Sequence, residues 1–417
     1  MDSNSKPIVV VGAGIIGSTI AYELQKRLGN VVLVDRDPPG MGASYGNMAS
    51  IAVTEFLPAS RPGVWRQLPG WLLDPGGPVR FRPGYLPTLL PWFWRFAAAG
   101  RPARLRALEA AGAALCRRAL GDWIALLAQT GLSHLLSAQG CLCLYASEQA
   151  YRADRDHQRL MTQYELSCET LTGAAARALE PALAPSIHKA LRLPDNRSIA
   201  DPHQLVQALV DRFLGLGGRL ETAAVTGFEC AEGRVARVLL RDAAPLPVSR
   251  VILAAGAFTG RLSALLHEPI PLETERGYHV QLARAGIGMR HSLIWPARAF
   301  MVTPTAGGLR IGGTVEMAGL DAPPDYRRAT GLLKHARKIL PDLRDQSADS
   351  VWMGHRPALP DTIPVIGRSA LNHNLFYATG HGHLGLTQAA TTALLIADLV
   401  MDRPALIDLT PYRVDRF

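Results

Sequence analysis

Charge, ordered cysteines and long apolar runs are scarce in this 417-residue chain. Only 19% of residues are charged and 48% are hydrophobic, which excludes a disordered or fibrous chain and leaves ample material for a core. The formal net charge is +9, yet the basic residues are nearly all arginines, scattered without a dense block. Nucleic-acid binding needs such a block on one face, so no nucleic acid is expected; mild attraction to an anionic membrane surface stays open. Five cysteines, Cys116, Cys141, Cys143, Cys168 and Cys230, are odd in number and lack CxxC spacing. That excludes a disulfide framework or zinc site and points to a reducing compartment. Met1–Lys6 is polar and runs straight into Ile8-Val9-Val10-Val11 without a charged-then-apolar leader, so a cytoplasmic protein is expected. No uninterrupted apolar run reaches the roughly 18–20 residues that span a bilayer; Tyr85–Gly100 comes nearest and is broken by Pro87, Pro91 and Arg95. There is no HExxH pair and no GxSxG elbow, and His381 with His383 lacks a third ligand, so neither a metal site nor a serine hydrolase is expected. No internal repeat is visible.

At roughly 100–200 residues per domain the length predicts two or three domains. Residues 7–37 read as strand, tight turn, helix, strand: Ile8–Val11 is a continuous β-branched run, Ile16, Ile20 and Leu24 form a helical stripe, and Val31–Val34 is a second buried strand. From Pro58 to Gly100 the composition shifts to Pro, Trp and Gly with few clear periods. A helix is expected over Pro102–Thr130, a strand at Cys141–Tyr145 and one polar helix over Glu148–Tyr164. Alternation returns with a helix at His203–Leu216, strands at Arg219–Glu229, Val235–Arg241 and Arg250–Ala254, and three more between Tyr278 and Val315. Gly354-His355-Arg356-Pro357 reads as a loop, followed by a strand at Leu375–Ala378 and a closing helix from Thr387 to Met401.

The turn between the first strand and helix is Gly12-Ala13-Gly14-Ile15-Ile16-Gly17. Glycines there allow a tight turn, close approach of a pyrophosphate and close helix–strand packing, while the helix N-terminus offers N–H donors. Asp35 closes the second strand, where a carboxylate accepts hydrogen bonds from a ribose diol; Arg36 follows it. These features predict a dinucleotide without separating NAD from FAD. Three later segments favour FAD: the small-residue loop Gly42–Asn47, the strand Val251–Ala254 running into Ala255-Gly256, and Gly380–Gly385 feeding a helix.

GAGIIG at Gly12, ASYGN around Ser44, AAGAFT from Ala254, GHRPALPDTIPVIG from Gly354 and ATGHGHLGLT from Ala378 occur in an order and spacing that resembles the D-amino-acid oxidase/dehydrogenase superfamily. Within it the chain is most similar to the bacterial D-amino acid dehydrogenases and their D-hydroxyproline dehydrogenase-type relatives. The resemblance implies an α/β fold: a Rossmann-like FAD-binding domain from residues 1–57, 195–262 and 351–417, and a discontinuous α+β substrate domain on an antiparallel sheet from 58–194 and 263–350. It implies Val225 on the adenine side of FAD. Ser44, Asn47, His381, Gly382, Leu384 and Gly385 fall nearer the flavin, with His383 in the same loop and Thr387 opening a helix toward the pyrimidine edge. The equivalent segment of some related amine oxidases carries a cysteine that links flavin; here Trp352-Met353-Gly354-His355 has none, so FAD is expected to be held non-covalently.

Arg356, in the matching Arg-Pro pair, is expected to grip a substrate carboxylate. Tyr278, His279 and Tyr45 are further candidates for the reaction site, and only one of Tyr278 and His279 is expected to face it because strand neighbours alternate. The implied activity is oxidation of a D-amino or D-imino acid at Cα by hydride transfer to flavin N5, giving an imine. Glycine-, sarcosine- or opine-type amine oxidation, alone or within a larger complex, and a non-catalytic FAD-binding subunit are the alternatives. The implied partners are an amino or imino acid and an electron acceptor, a quinone, another carrier or O2. Peripheral membrane contact, on the inner face, and a hetero-oligomer remain open; Trp92-Phe93-Trp94 is expected to be core of the substrate domain, with a membrane- or quinone-facing patch as the alternative.

Overall fold

The β-branched run Ile8–Val11 forms β1, helix α1 spans Ile15–Leu28, and β2 spans Val31–Asp35. The computed structural model describes residues 6–61, 63–64, 70–71, 74 and 77–417; the polar start Met1–Ser5 and parts of the Pro/Trp/Gly-rich stretch lie outside the described residues. β1 pairs in parallel with β2 on one side and with strand Arg250–Leu253 on the other. Strands Arg219–Thr222, Leu375–Thr379 and Val365–Arg368 complete a six-stranded sheet, the last running antiparallel. Ile8 and Val10 face a core shared with α1 and helices Pro102–Thr130, Pro202–Gly215 and Gly385–Val400. Val9 and Val11 face a second core under the small sheet Val225–Ala231, Arg234–Leu240 and Leu246–Pro247. Coverage on both faces explains why these strands read as unbroken apolar runs.

A larger sheet of nine strands is mostly antiparallel. Its edge strand Ser350–Ala358 pairs with Glu273–Leu282, which pairs with Gly308–Met317. Tyr278, Val280, Leu282 and Ile311 pack on helix Arg327–Ile339, so the other residues of each strand face the opposite way. The architecture is the expected α/β combination of a parallel Rossmann-like sheet and a large, mainly antiparallel one.

Several local expectations need correction. Gly354-His355-Arg356-Pro357 is strand, not loop. The strand lies at the sheet edge, where a proline near its end costs no ladder bond toward a further neighbour. The chain expected to rejoin the dinucleotide unit at 351 therefore first enters the large sheet. The stretch before Gly100 holds a 14-residue helix, Leu86–Ala99, with Pro87 in its first turn and Pro91 inside. The polar helix after Glu148 is two helices that meet at Asp154, and Arg219–Glu229 divides between two sheets. One helical stretch, Gly382–Val400, is apolar and long enough by composition to cross a membrane, and 78% of it is buried inside the protein.

Candidate active site

The two sheets share a cavity of about 1360 Å3, larger than the roughly 300–1,000 Å3 that holds a drug-sized ligand. Gly12, Gly14, Ile15 and Ile16 form part of its wall. Gly12 adopts φ +108°, and a Cβ there would collide with the Ala254 backbone, so only glycine fits the turn. Gly17 lies behind the wall, close against the Gly12 carbonyl, and packs helix on strand. Ala13 also lies behind it, donating its N–H to Asp35 at 2.6 Å. No acidic residue occupies the first turn of α1, leaving the positive end of that helix free for an anion.

Asp35 and Arg36 reach the cavity. Burial raises the pKa of Asp35, although hydrogen bonds from the Ala13 and Asp37 amides oppose this. The Arg36 guanidinium lies 4.0 Å from the centre of the Phe258 ring. Val225, Ala255 and Gly256 lie along the wall, as do Ser44 and Asn47. Ser44 Oγ accepts from Ile15 N at 2.9 Å, tying the loop to the start of α1.

His381, Gly382, His383 and Gly385 also line the cavity. His381 is buried and lies 3.1 Å from Thr392 Oγ1; burial pushes it down to about 3, so it is neutral. Three expected contacts fall behind the wall. Gly380 packs on Leu359, Leu384 joins a core with Phe56 and Leu160, and Thr387 Oγ1 accepts from Ala52 N at 2.9 Å. Thr387 therefore fastens the Ser50–Ala52 segment to its helix. Tyr45 is also displaced: it is exposed and its ring sits 5.0 Å from His203.

Strand pairing sets the reacting end. Glu275, Gly277 and His279 lie opposite Arg356, Gly354 and Trp352. The Arg356 guanidinium extends over Gly277, where a Cβ would strike it. Arg356 Nη1 donates to Thr314 O at 3.0 Å. Among the described residues no carboxylate lies within 4.0 Å of this guanidinium. Burial pulls its pKa down and Glu275 opposes that; arginine stays charged regardless. Thr314 sits at a register shift between the two strands with φ 57°. Such a bulge re-aims a backbone group, here the carbonyl that receives Arg356.

Tyr278 borders the cavity, but its hydroxyl is committed. It donates to Glu316 at 2.5 Å and accepts from Asp325 N at 3.1 Å, on the helix side of the sheet. His279 points the other way, donating from Nδ1 to Gly46 O at 2.8 Å and stacking on Trp352 at 5.2 Å. Burial, with Arg310 nearby, pushes it down to about 4. It positions the Gly46 loop and the Trp352 ring instead of forming the wall.

Sequence reasoning missed Trp352, Ser50 and a titratable group of Glu55, Arg61, Asp154 and His157, all on the wall. Burial disfavours charge on His157, but Glu55, Asp154 and the Thr54 carbonyl outweigh it and push it up to about 9. Among the described residues no group of three His, Cys, Asp or Glu side chains is arranged for a metal.

A family model described as FAD dependent oxidoreductase matches residues 7–399. The chain belongs to the FAD-dependent oxidoreductase family. FAD is its cofactor, and the residues present suit it: the α1 N-terminus with no acidic residue in its first turn, the Asp35 carboxylate, the small Ala255-Gly256 turn and the buried, unpartnered Ser50 Oγ. A D-amino-acid oxidase of Bradyrhizobium diazoefficiens is 33% identical over 416 residues, covering 98% of both chains. D-amino acid dehydrogenase 2 of Ralstonia nicotianae is 34% identical, covering 98% of this chain and all of that one. Among solved structures, glycine oxidase from Geobacillus kaustophilus superposes with a TM-score of 0.78 at 21% identity over 98% of each chain, and establishes the fold alone.

Proposed function

We propose that this FAD-dependent oxidoreductase oxidises a D-amino or D-imino acid at Cα. The observation that carries the reading is Arg356: a half-buried guanidinium on the cavity wall that, among the described residues, gives a hydrogen bond to a backbone carbonyl and is paired with no carboxylate. A planar cation with donors to spare matches a carboxylate bidentately, and holding that group fixes where Cα lies. The two curated relatives, an oxidase and a dehydrogenase of D-amino acids, support the same substrate class.

Gly12, Gly14, Ile15, Ile16, Asp35, Ser44, Asn47, Val225, Ala255, Gly256, His381, Gly382 and Gly385 are the proposed FAD contacts, all non-covalent. Bound FAD supplies the two-electron oxidant; the substrate becomes an imine, and a primary imine hydrolyses to a 2-keto acid and ammonia. The protein contributes position and environment. Arg356 orients the carboxylate, Gly277 clears the space above the sheet for it, and Trp352 excludes water beside it. The histidines pushed down to about 3 and about 4, His381 and His355, add no positive charge to the wall. A substrate that enters as its free amine needs no dedicated base. An external electron acceptor completes turnover. The large sheet would carry the substrate contacts and the six-stranded sheet the cofactor. The cysteines, all free, agree with a reducing, cytoplasmic setting, and the net charge of +9 with contact at the inner face of a membrane.

A D-amino acid compared with its own carboxamide tests the role of Arg356. The acid is expected to reduce the enzyme-bound flavin anaerobically, with the amide at least about 10–100-fold less efficient, because its NH2 cannot accept from the guanidinium and one charge-assisted hydrogen bond is lost. Equal efficiency would remove the carboxylate from the recognition scheme.

A further inference from the structure

Helix Leu86–Ala99 is apolar around most of its circumference, yet the protein covers one side of it. Leu89, Trp92 and Phe96 are buried against Met317 and Ala358. On the opposite side Leu86, Leu90 and Trp94 recur at every fourth position and are 40%, 65% and 77% exposed; Pro87 and Pro91 are exposed with them. A helix that is apolar all round belongs in a core or in lipid, and here half of it faces solvent. Among the described residues, exposed large hydrophobics elsewhere fall singly or in pairs along the chain, such as Met41 with Tyr45 and Leu214 with Leu216, which is ordinary.

The stretch of chain that holds the helix carries charge of one sign, and the exposed acid near its start, Asp321, is already paired with Arg261. From Gly77 to Leu108 the sequence has six arginines, Arg80, Arg82, Arg95, Arg101, Arg104 and Arg106, and no acidic residue. All six are exposed. Arg95 and Arg104 line a groove beside Trp94 together with Arg416 and the C-terminal Phe417. The one acid in that groove, Asp361, is buried and already paired with Arg416 at 2.8 Å.

We propose that the outer face of Leu86–Ala99 docks the protein on an anionic lipid bilayer. Leu86, Leu90 and Trp94 enter the headgroup–acyl boundary, and the arginines meet phosphate headgroups, the arrangement of an interfacial amphipathic helix. The charge argues against a second copy as the occupant. A two-fold interface would set each arginine cluster against its own image. The inner side of the same helix, through Trp92, Phe93 and Phe96, walls the catalytic cavity. Docking therefore brings that cavity to within about one helix diameter, 10–12 Å, of the lipid. This inference stands apart from the substrate reading, because docking is measured without turnover.

The test is co-sedimentation of the full-length, FAD-loaded protein with phosphatidylglycerol/phosphatidylcholine vesicles and with pure phosphatidylcholine vesicles. Binding is expected to the anionic vesicles only, to weaken as salt is raised, and to fall at least about tenfold in Leu90→Glu/Trp94→Glu. FAD content and thermal midpoint report whether that variant folds. Arg101→Gln/Arg104→Gln/Arg106→Gln supplies a second, milder perturbation, with the same loss expected. Absence of binding to anionic vesicles, or binding unaltered in both variants, overturns the proposal. So does a wild-type dimer or oligomer in sedimentation velocity that Leu90→Glu/Trp94→Glu converts to monomer, because the helix would then be a subunit interface.

Discussion

Replacing Gly277 with alanine moves Arg356 without altering its charge. A Cβ at this position would lie 2.8 Å from Arg356 Nε and closer still to its Cζ and Nη2, a separation real side chains do not sustain. The guanidinium is the end of a flexible side chain, so it gives way before the strand does, and its 3.0 Å bond to Thr314 O is lost. Overpacking of this kind costs about 1–3 kcal/mol. The stiffer unfolded chain returns about 0.4–1 kcal/mol, so the variant should fold and retain FAD. A displaced guanidinium forfeits at least one charge-assisted hydrogen bond to the substrate carboxylate, about 1.5–3 kcal/mol, which corresponds to about 10–100-fold in affinity. Anaerobic single-turnover reduction, followed over a range of D-amino acid concentrations, gives that affinity directly. The expected outcome is an apparent Kd raised by about 10–100-fold at normal flavin content. An unaltered Kd would mean that the position of Arg356 does not govern substrate binding, and the argument from its geometry would fail.

Gly12→Ala should yield protein almost free of flavin, because φ +108° and the Ala254 backbone both oppose a side chain there; a normal flavin-to-protein ratio would contradict the cofactor site. Tyr278→Phe leaves the Glu316 carboxylate and the Asp325 amide without their shared partner. It should lower stability by about 1–3 kcal/mol in chemical denaturation with kcat/KM unchanged, whereas a kinetic defect at normal stability would return Tyr278 to the reaction site. His157 is pushed up to about 9 from an ordinary 6.5. The stability it contributes is therefore complete below about pH 6.5 and is lost as pH rises through about 9, a few kcal/mol at most. His157→Gln should flatten the fall of thermal midpoint over that interval, and an identical slope in the variant would show that the charge of His157 is not the cause.

The first strand, turn and helix were legible because their constraints are local: a β-branched run buried on both faces, and a glycine whose φ no other residue tolerates. Asp35 was legible for the same reason, standing where the second strand ends. Arg356 could be picked out as a residue but not as part of a strand. Gly354 and Pro357 resemble loop punctuation until the neighbouring strand supplies the ladder and the sheet edge excuses the proline. Alternation at Tyr278 and His279 predicted two faces, but helix Arg327–Ile339, distant in sequence, decides that Tyr278 lies beneath it. Tyr278 then commits its hydroxyl to Glu316 and Asp325, and His279 its Nδ1 to the Gly46 carbonyl. Tyr45 looked apt in its loop, and its displacement depends on His203, which folding brings alongside. Thr314 gave no signal, because a bulge is a property of two strands in register. The prolines at 87 and 91 obscured a helix whose apolar residues lie on both sides and so produce no single stripe.

The central claim, that the cavity oxidises the D-configured substrate at Cα, is tested most directly by anaerobic spectroscopy of the FAD-loaded protein. Matched D- and L-amino acids, D- and L-proline, D-hydroxyproline, glycine, sarcosine and opines are added in turn, and the visible flavin band is followed. Bleaching by D-amino or D-imino acids with their L-enantiomers inert is the predicted result. Bleaching by L-enantiomers only, by glycine, sarcosine or opines in their place, or by none of these compounds, would contradict it.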